Sequence, residues 1–391
     1  MALPQHNRET LLMKLFFMLQ PIAFGSWLPR IPEIQQSLHL DAQGLAFALA
    51  GLPTGVLLTL PFAGKAVHAA GPRTLLLEVF PIFLICTTLP VWAPSQFGLF
   101  LALVLLGCTM STTELAMNVE ADRLEKHHHV SIMNACHGFW SLGMMLGSLI
   151  GAGLAQMIVP PGWSVTLTAI LLIVPSWLIA YALPRVQPAV ELQASPTRAN
   201  WWPCPALLSI ALFVFGVTLT EGAIADWSAV VLHDVHGATG FPAGFGYSAF
   251  AGLMTLMRLN ADTLKQRFTA KRLAQASSVI ALVGTVLVAT SINTTIATIG
   301  FALLGIGAAA AFPLAVSAGG QLTDRPVAAS VAFITFVALT GFLIGPVVIG
   351  TVAHTFGMRT GLSMLLPALV LSLVLAHSLS GPRLTKNASP Q

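Results

Sequence analysis

Charge is what this sequence most lacks. Of its 391 residues only 8% are Asp, Glu, Lys or Arg, against 55% hydrophobic ones, and the mean hydropathy is +0.82. Water-soluble domains carry about a quarter charged residues, so a soluble globular fold is excluded and a chain with many membrane spans remains. Cysteine is scarce too. Cys86, Cys108, Cys136 and Cys204 fall inside or beside apolar segments, at spacings that suit neither a zinc site nor a disulfide framework, which leaves them as small apolar filler. The net charge of +4 is small and scattered along the chain, so no nucleic-acid partner is expected. No phosphate-binding loop is present, which argues against transport driven by ATP on this chain alone. Nor is there a cleavable leader: the first apolar segment holds polar residues and runs on into Pro29, Arg30 and Pro32, as a first span would.

What the chain has is apolar runs. Stretches long enough to cross about 30 Å of hydrocarbon fall near 11–31, 42–64, 74–94, 97–121, 131–157, 163–183, 206–232, 241–261, 273–292, 295–317, 328–352 and 359–379. That predicts an all-α membrane protein of twelve spans joined by short loops. The exception is 185–204, polar and punctuated by proline. It reads as a cytoplasmic linker between an N-terminal six-helix bundle (1–184) and a C-terminal one (205–391). With both termini inside the cell, every Lys and Arg except Arg30 and Arg359 falls at or near the cytoplasmic side, as the positive-inside rule requires. The halves also look like repeats. Trp27 in span 1 matches Trp227 in span 7, and Gly143-x3-Gly147 matches Gly341-x3-Gly345 at an offset of 198.

Twelve spans in two halves with basic 2–3 and 8–9 loops resemble the major facilitator superfamily of secondary transporters. That family's loop signature is a glycine, an aspartate four on, then a glycine and arginines. Arg258, Asp262 and Arg267 carry a fair copy in the second half. In the first half Gly64, Gly71 and Arg73 remain, but His68 stands where the aspartate is expected. Glu-Leu-Ala-Met117-Asn118-Val-Glu120, then Met133-x3-His137-Gly138-Phe-Trp-Ser141, and Glu221-Gly222-x3-Asp226-Trp227-Ser228 are similar to the fucose-permease-like branch that includes YbjJ-type permeases. The resemblance implies an inner-membrane, multi-pass carrier without cofactor, expected to act as a monomer.

The chemistry is expected where acids enter apolar spans, because an ionisable group at a bilayer centre costs roughly 2.5–3.5 kcal/mol on insertion scales. Glu114 and Asn118 share one face of span 4, while Asn134, His137, Ser141 and Ser148 form a stripe on span 5. At 1.5 Å per residue Glu114 would lie roughly 12 Å deep and His137 roughly 9 Å. Glu114 is therefore the expected proton carrier, with Asn118 and His137 as partners that tune it. At the offset of 198 His137 meets Thr335, so the ionisable face is not duplicated and coupling is expected in the N-terminal half. Gln20, Trp27, Asn134, Trp140, Glu221 and Trp227 are the expected substrate-binding residues, and Arg30 is expected to close an outer gate with Asp226 or Glu221. His127, His128 and His129 read as a solvated loop, so no metal is expected. The function expected is proton-coupled symport of a small polar, sugar-like solute. Proton-coupled export of a metabolite or drug is the alternative. An embedded enzyme is remote, because no positioned Ser or Cys nucleophile accompanies Glu114 and His137.

Overall fold

A computed structural model describes residues 5–184, 203–323 and 325–380, without the side chains of Gln5, Asp262 and Ala328. The expected linker therefore lies outside the described residues, save for its last two residues, Pro203 and Cys204. All regular structure among the described residues is helical. Eleven helical stretches are long and apolar enough to cross a membrane: span 1 (His6–Ser37), span 2 (Ala42–Ala70), span 3 (Pro72–Trp92), span 4 (Gln96–His128), span 5 (Met133–Gln156), span 6 (Pro161–Ala182), span 7 (Pro205–His236), span 9 (Ala270–Thr290), span 10 (Thr294–Gly319), span 11 (Ala329–Phe356) and span 12 (Met358–Leu379). The segment expected as span 8 is a helix too, Phe241–Leu259, of 19 residues. It falls short in hydropathy rather than length, because glycines, Tyr247, Ser248 and Arg258 dilute its apolar content. Packing against spans 5, 7 and 10 covers much of its surface, so it has less need of a lipid-facing one.

The helices pair in the same way in each set of six. Span 1 packs on span 5 as span 7 packs on span 11; span 2 packs on span 4 as span 8 on span 10; span 3 packs on span 6 as span 9 on span 12. Glycines set the closest of these contacts. A Cβ on Gly143, Gly147 or Gly151 would run into the span 1 carbonyls of Met18, Ile22 and Ser26, so the two backbones touch. Gly341 and Gly345 bring span 11 against span 7 in the same manner, each about where a Cβ would lie 3.0 Å from the carbonyl of Phe215 or Leu219. In lipid, where apolar burial gives no drive for helices to associate, close backbone approach of this kind is a main source of cohesion. Outside, large apolar side chains such as Phe62, Leu171, Val174 and Phe356 are exposed, a surface suited to hydrocarbon.

The two sets of six meet at the end of the bundle away from residues 5 and 380, the far end. There Asp41 Oδ2 pairs with His354 Nδ1 at 3.1 Å, and Gln36 Nε2 lies 2.9 Å from His233 Nε2. The Phe241 N–H donates to Gln156 Oε1 at 3.1 Å. Spans 2 and 11 touch chiefly through residues 42–49, where Gly350 admits Ala46. Spans 5 and 8 stay together over more of their length, from Ser148 Oγ, which donates to the Gly244 carbonyl at 3.2 Å, to Gly138, which leaves room for Leu259.

Gly147→Leu should drive spans 1 and 5 apart. We expect at least about 1–3 kcal/mol of destabilisation, read as a lowered Tm and poor monodispersity in detergent. Gly153→Leu, on the same helix where nothing lies within 4 Å of the added Cβ, should leave both unchanged.

Candidate functional site

Between the two sets of six lies a central cavity of about 170 Å³. Its wall takes Glu114 and Met110 from span 4, Trp140 and Met144 from span 5, Glu221 and Asp226 from span 7, Tyr247 from span 8 and Phe342 from span 11. The wall is apolar apart from three carboxyls and one phenol. A second, smaller cavity lies toward the end that carries residues 5 and 380, the near end. It is lined by Asn134 and His137 of span 5 together with Met257, Arg258 and Lys265.

The feature that the sequence reading missed is Arg258. Read there as a loop residue, it stands in the last turn of the span 8 helix and points inward. Nη1 donates to Ser141 Oγ of span 5 at 2.6 Å, and Nη2 to Glu221 Oε1 of span 7 at 3.4 Å. Both side chains of the pair are some 15% exposed. Glu221 is fifteen residues from the far end of span 7 and Arg258 seventeen from that of span 8. Both thus lie roughly 22–26 Å in from that end. The pair is also the partition between the cavities, since Glu221 lines the central one and Arg258 the near-end one.

Several expected roles change. Glu114 lines the central cavity, but His137 opens into the near-end one, with its ring edge-on to Phe17 at 5.7 Å between centroids. The reason is depth along span 5: Met144, on the same face as His137, is seven residues or roughly 10 Å further in, and the Arg258–Ser141 contact lies between. Asn118 does not reach the Glu114 carboxyl; its Nδ2 donates to the Glu114 main-chain carbonyl at 2.9 Å. Gln20 is buried behind the wall rather than in it. Its Nε2 donates to Thr113 Oγ1 at 3.0 Å, and its Oε1 accepts from Trp140 Nε1 at 3.3 Å. The Trp140 N–H lies against the Glu114 carboxyl as well. Trp27 and Trp227 are 1% and 0% exposed and line no part of the central cavity, because tight packing encloses them; Trp227 abuts Gly350 of span 11. Trp140, Glu221, Glu114 and Asp226 are the expected residues that do face it.

The expected Arg30 gate has a different partner. Arg30, 1% exposed, donates through Nη2 to Glu33 Oε2 at 2.8 Å and to the Val159 carbonyl at 2.5 Å. Asp226 lies out of its network, facing the central cavity. Of the loop residues, Gly71 has φ +81°, a left-handed conformation at the span 2–3 junction that favours glycine. Arg73 donates to the carbonyls of Leu183 and Tyr181 at 3.0 and 2.6 Å, tying span 3 to span 6. Arg267 ends a short helix, Ala261–Arg267; the Asp262 side chain lies outside those described. His128 is not solvated: it belongs to the span 4 helix and its Nε2 lies 2.8 Å from Glu9 Oε2.

A bundle of membrane-length helices in two like-paired sets, with a polar-studded cavity walled by both, defines a membrane transporter. Residues 15–339 match the model of the Major Facilitator Superfamily, and the chain belongs to that family. It is 29% identical over 343 residues to the uncharacterised transporter y4wD of Sinorhizobium fredii, covering 88% of this chain and 90% of that protein. It is likewise 29% identical to membrane protein MosC of Rhizobium meliloti, with 88% and 84% covered. A point mutant of the nucleoside transporter NupG superposes with a TM-score of 0.75 at 16% identity, over 95% of this chain and 98% of that one. A bacterial homologue of the lysosomal transporter Spinster, inward-facing and occupied, gives 0.72 at 16%, over 97% and 98%. These two likenesses show the fold. The family is one of transporters, as y4wD is named, and this chain is a transporter, not an enzyme.

Removing one member of a largely buried ion pair strands the other, a loss that reaches about 3–5 kcal/mol where burial is complete. Arg258→Gln and Glu221→Gln should each lower Tm clearly, and the double variant should lose less than the two singles together. Additive losses in that double-mutant cycle would show that the pair makes no net contribution.

Proposed function

We propose that this chain is a proton-coupled secondary transporter, moving a small polar organic solute by alternating access through the central cavity. The observation that carries the reading is the position of Glu114: a carboxyl on the cavity wall, against the Trp140 indole, with no cation beside it among the described residues. A carboxyl group holds its proton more firmly in dry surroundings than in wet ones. A cavity that alternates between hydrated and closed therefore loads and releases a proton at Glu114 once per cycle. The far-end contacts of Asp41 with His354 and Gln36 with His233 would close one side while the near end admits water.

With both termini cytoplasmic, as the basic residues indicate, the far end is the outer one and the membrane is the bacterial inner membrane. Symport of a hydroxyl-bearing solute, in keeping with the fucose-permease-like motifs, is the first reading. The cavity's polar atoms are mainly carboxyl oxygens and the Tyr247 hydroxyl, good partners for hydroxyls, and Trp140 offers a face for a ring. The near-end cavity, with Asn134, His137 and Lys265, would form the water-filled approach from the cytoplasm. Export by proton antiport uses the same groups in the reverse sense, and the largely apolar wall favours it only for a more hydrophobic solute.

In proteoliposomes Glu114→Gln should abolish accumulation driven by a pH gradient while retaining solute exchange at near wild-type rate. Accumulation that survives the substitution would remove Glu114 from the coupling.

A further inference from the structure

The charge balance of the central cavity says more about the solute. Three carboxyls face it, from Glu114, Glu221 and Asp226, and its wall contains no Lys, Arg or His. Only one of the three has a counter-ion. Arg258 approaches Glu221 from the near-end side and is held there by Ser141, so its charge is spent behind the wall rather than in the lumen. Glu114 has the Trp140 N–H beside it and a role in the proposed coupling. That leaves Asp226. It lines the lumen deep inside span 7 and makes no hydrogen bond or ion pair with any described residue. Around it the wall is small or aromatic: Gly222 and Ala225 on its own helix, Tyr247 from span 8 and Phe342 from span 11.

A carboxylate without a partner inside a membrane protein is costly unless it is protonated or completed by a ligand. An organic ammonium group is the ligand that fits. It supplies the missing charge, it donates hydrogen bonds to a carboxylate, and it is attracted to aromatic faces within about 6 Å. An anionic solute would meet only like charge. A neutral hydroxyl-bearing solute could donate to Asp226 but would leave its charge unbalanced.

We propose that the transported solute is a small organic amine, its ammonium group received by Asp226 in the aromatic part of the central cavity. This rests on the reading of that cavity as the transport site and narrows the solute class from polar to cationic. Arg30, expected to gate with Asp226 or Glu221, bonds to Glu33 instead.

The test uses matched pairs of compounds that differ in the charged nitrogen: glucosamine against glucose, choline against dimethylbutanol, and tyramine against ethylphenol. Each is added to the purified full-length transporter and scored by thermal shift and by quenching of tryptophan fluorescence. The amine of at least one pair should bind about tenfold or more tightly than its neutral mate. Asp226→Asn should abolish that preference, and Asp234→Asn at the exposed far end should keep it. Equal or better binding of the neutral mates, no binding by any amine, or an amine preference that survives Asp226→Asn would each overturn the proposal. Glu114→Gln separates this from the coupling. Amine binding retained with proton-driven accumulation lost supports both readings. Amine binding retained with accumulation intact overturns only the role of Glu114.

Discussion

Burying charge away from water is the constraint on which this structure depends. In hydrocarbon an acid must be paired, protonated or completed by a ligand, and the three carboxyls of the central cavity divide among these three cases. Glu221 is paired with Arg258, Glu114 is the proposed proton site, and Asp226 the proposed solute site. Elsewhere, Asp122 with Lys126 and Asp41 with His354 form exposed pairs near helix ends that are worth little to stability, and Glu120, buried inside span 4, lies 3.7 Å from Arg123. Charge is scarce in the sequence, and three of its carboxyls face one cavity.

The glycine contacts make that arrangement possible. Span 1 lies directly on the backbone of span 5 and span 7 on that of span 11, so these four helices form two rigid pairs. Each pair presents part of its surface to the central cavity: Phe24, Trp140 and Met144 on one side, Glu221, Asp226 and Phe342 on the other. Gln20 then fixes the Trp140 indole from behind, in a chain that runs from Trp140 through Gln20 to Thr113 across spans 5, 1 and 4. Rigid pairs that meet at the far end and diverge between spans 2 and 11 are suited to rocking about the cavity.

Much of this was legible in the sequence. Helix number and order came from hydropathy, and the glycine repeat at an offset of 198 located the 1–5 and 7–11 type of packing surface, though not its partner. Glu114, Trp140 and Glu221 stood out because a polar group in an apolar run must face something polar. What failed was mostly angle and reach. Asn118 shares a face with Glu114 but bonds to the nearer backbone carbonyl, as amides one helical turn apart commonly can. His137 was placed by linear depth, which cannot show that the Arg258–Ser141 contact shuts it out of the central cavity. Trp27 and Trp227 matched each other for a packing reason, not a binding one. Arg258 was assigned to a loop because it opens a recognisable loop signature. Its long side chain turns back along span 8 into the interior, and no pattern in the sequence reports that direction.

The central claim is that solute passes through the cavity walled by Glu114, Glu221 and Asp226. Ala225, on that wall beside Asp226, offers the most direct test. In a variant with the four native cysteines replaced and Ala225→Cys added, the rate of labelling by a small hydrophilic thiol reagent is measured from each face of the membrane, with and without a transported amine. The account predicts labelling from both faces, strongly slowed by the amine. Labelling confined to one face, or unaffected by the amine, would contradict it.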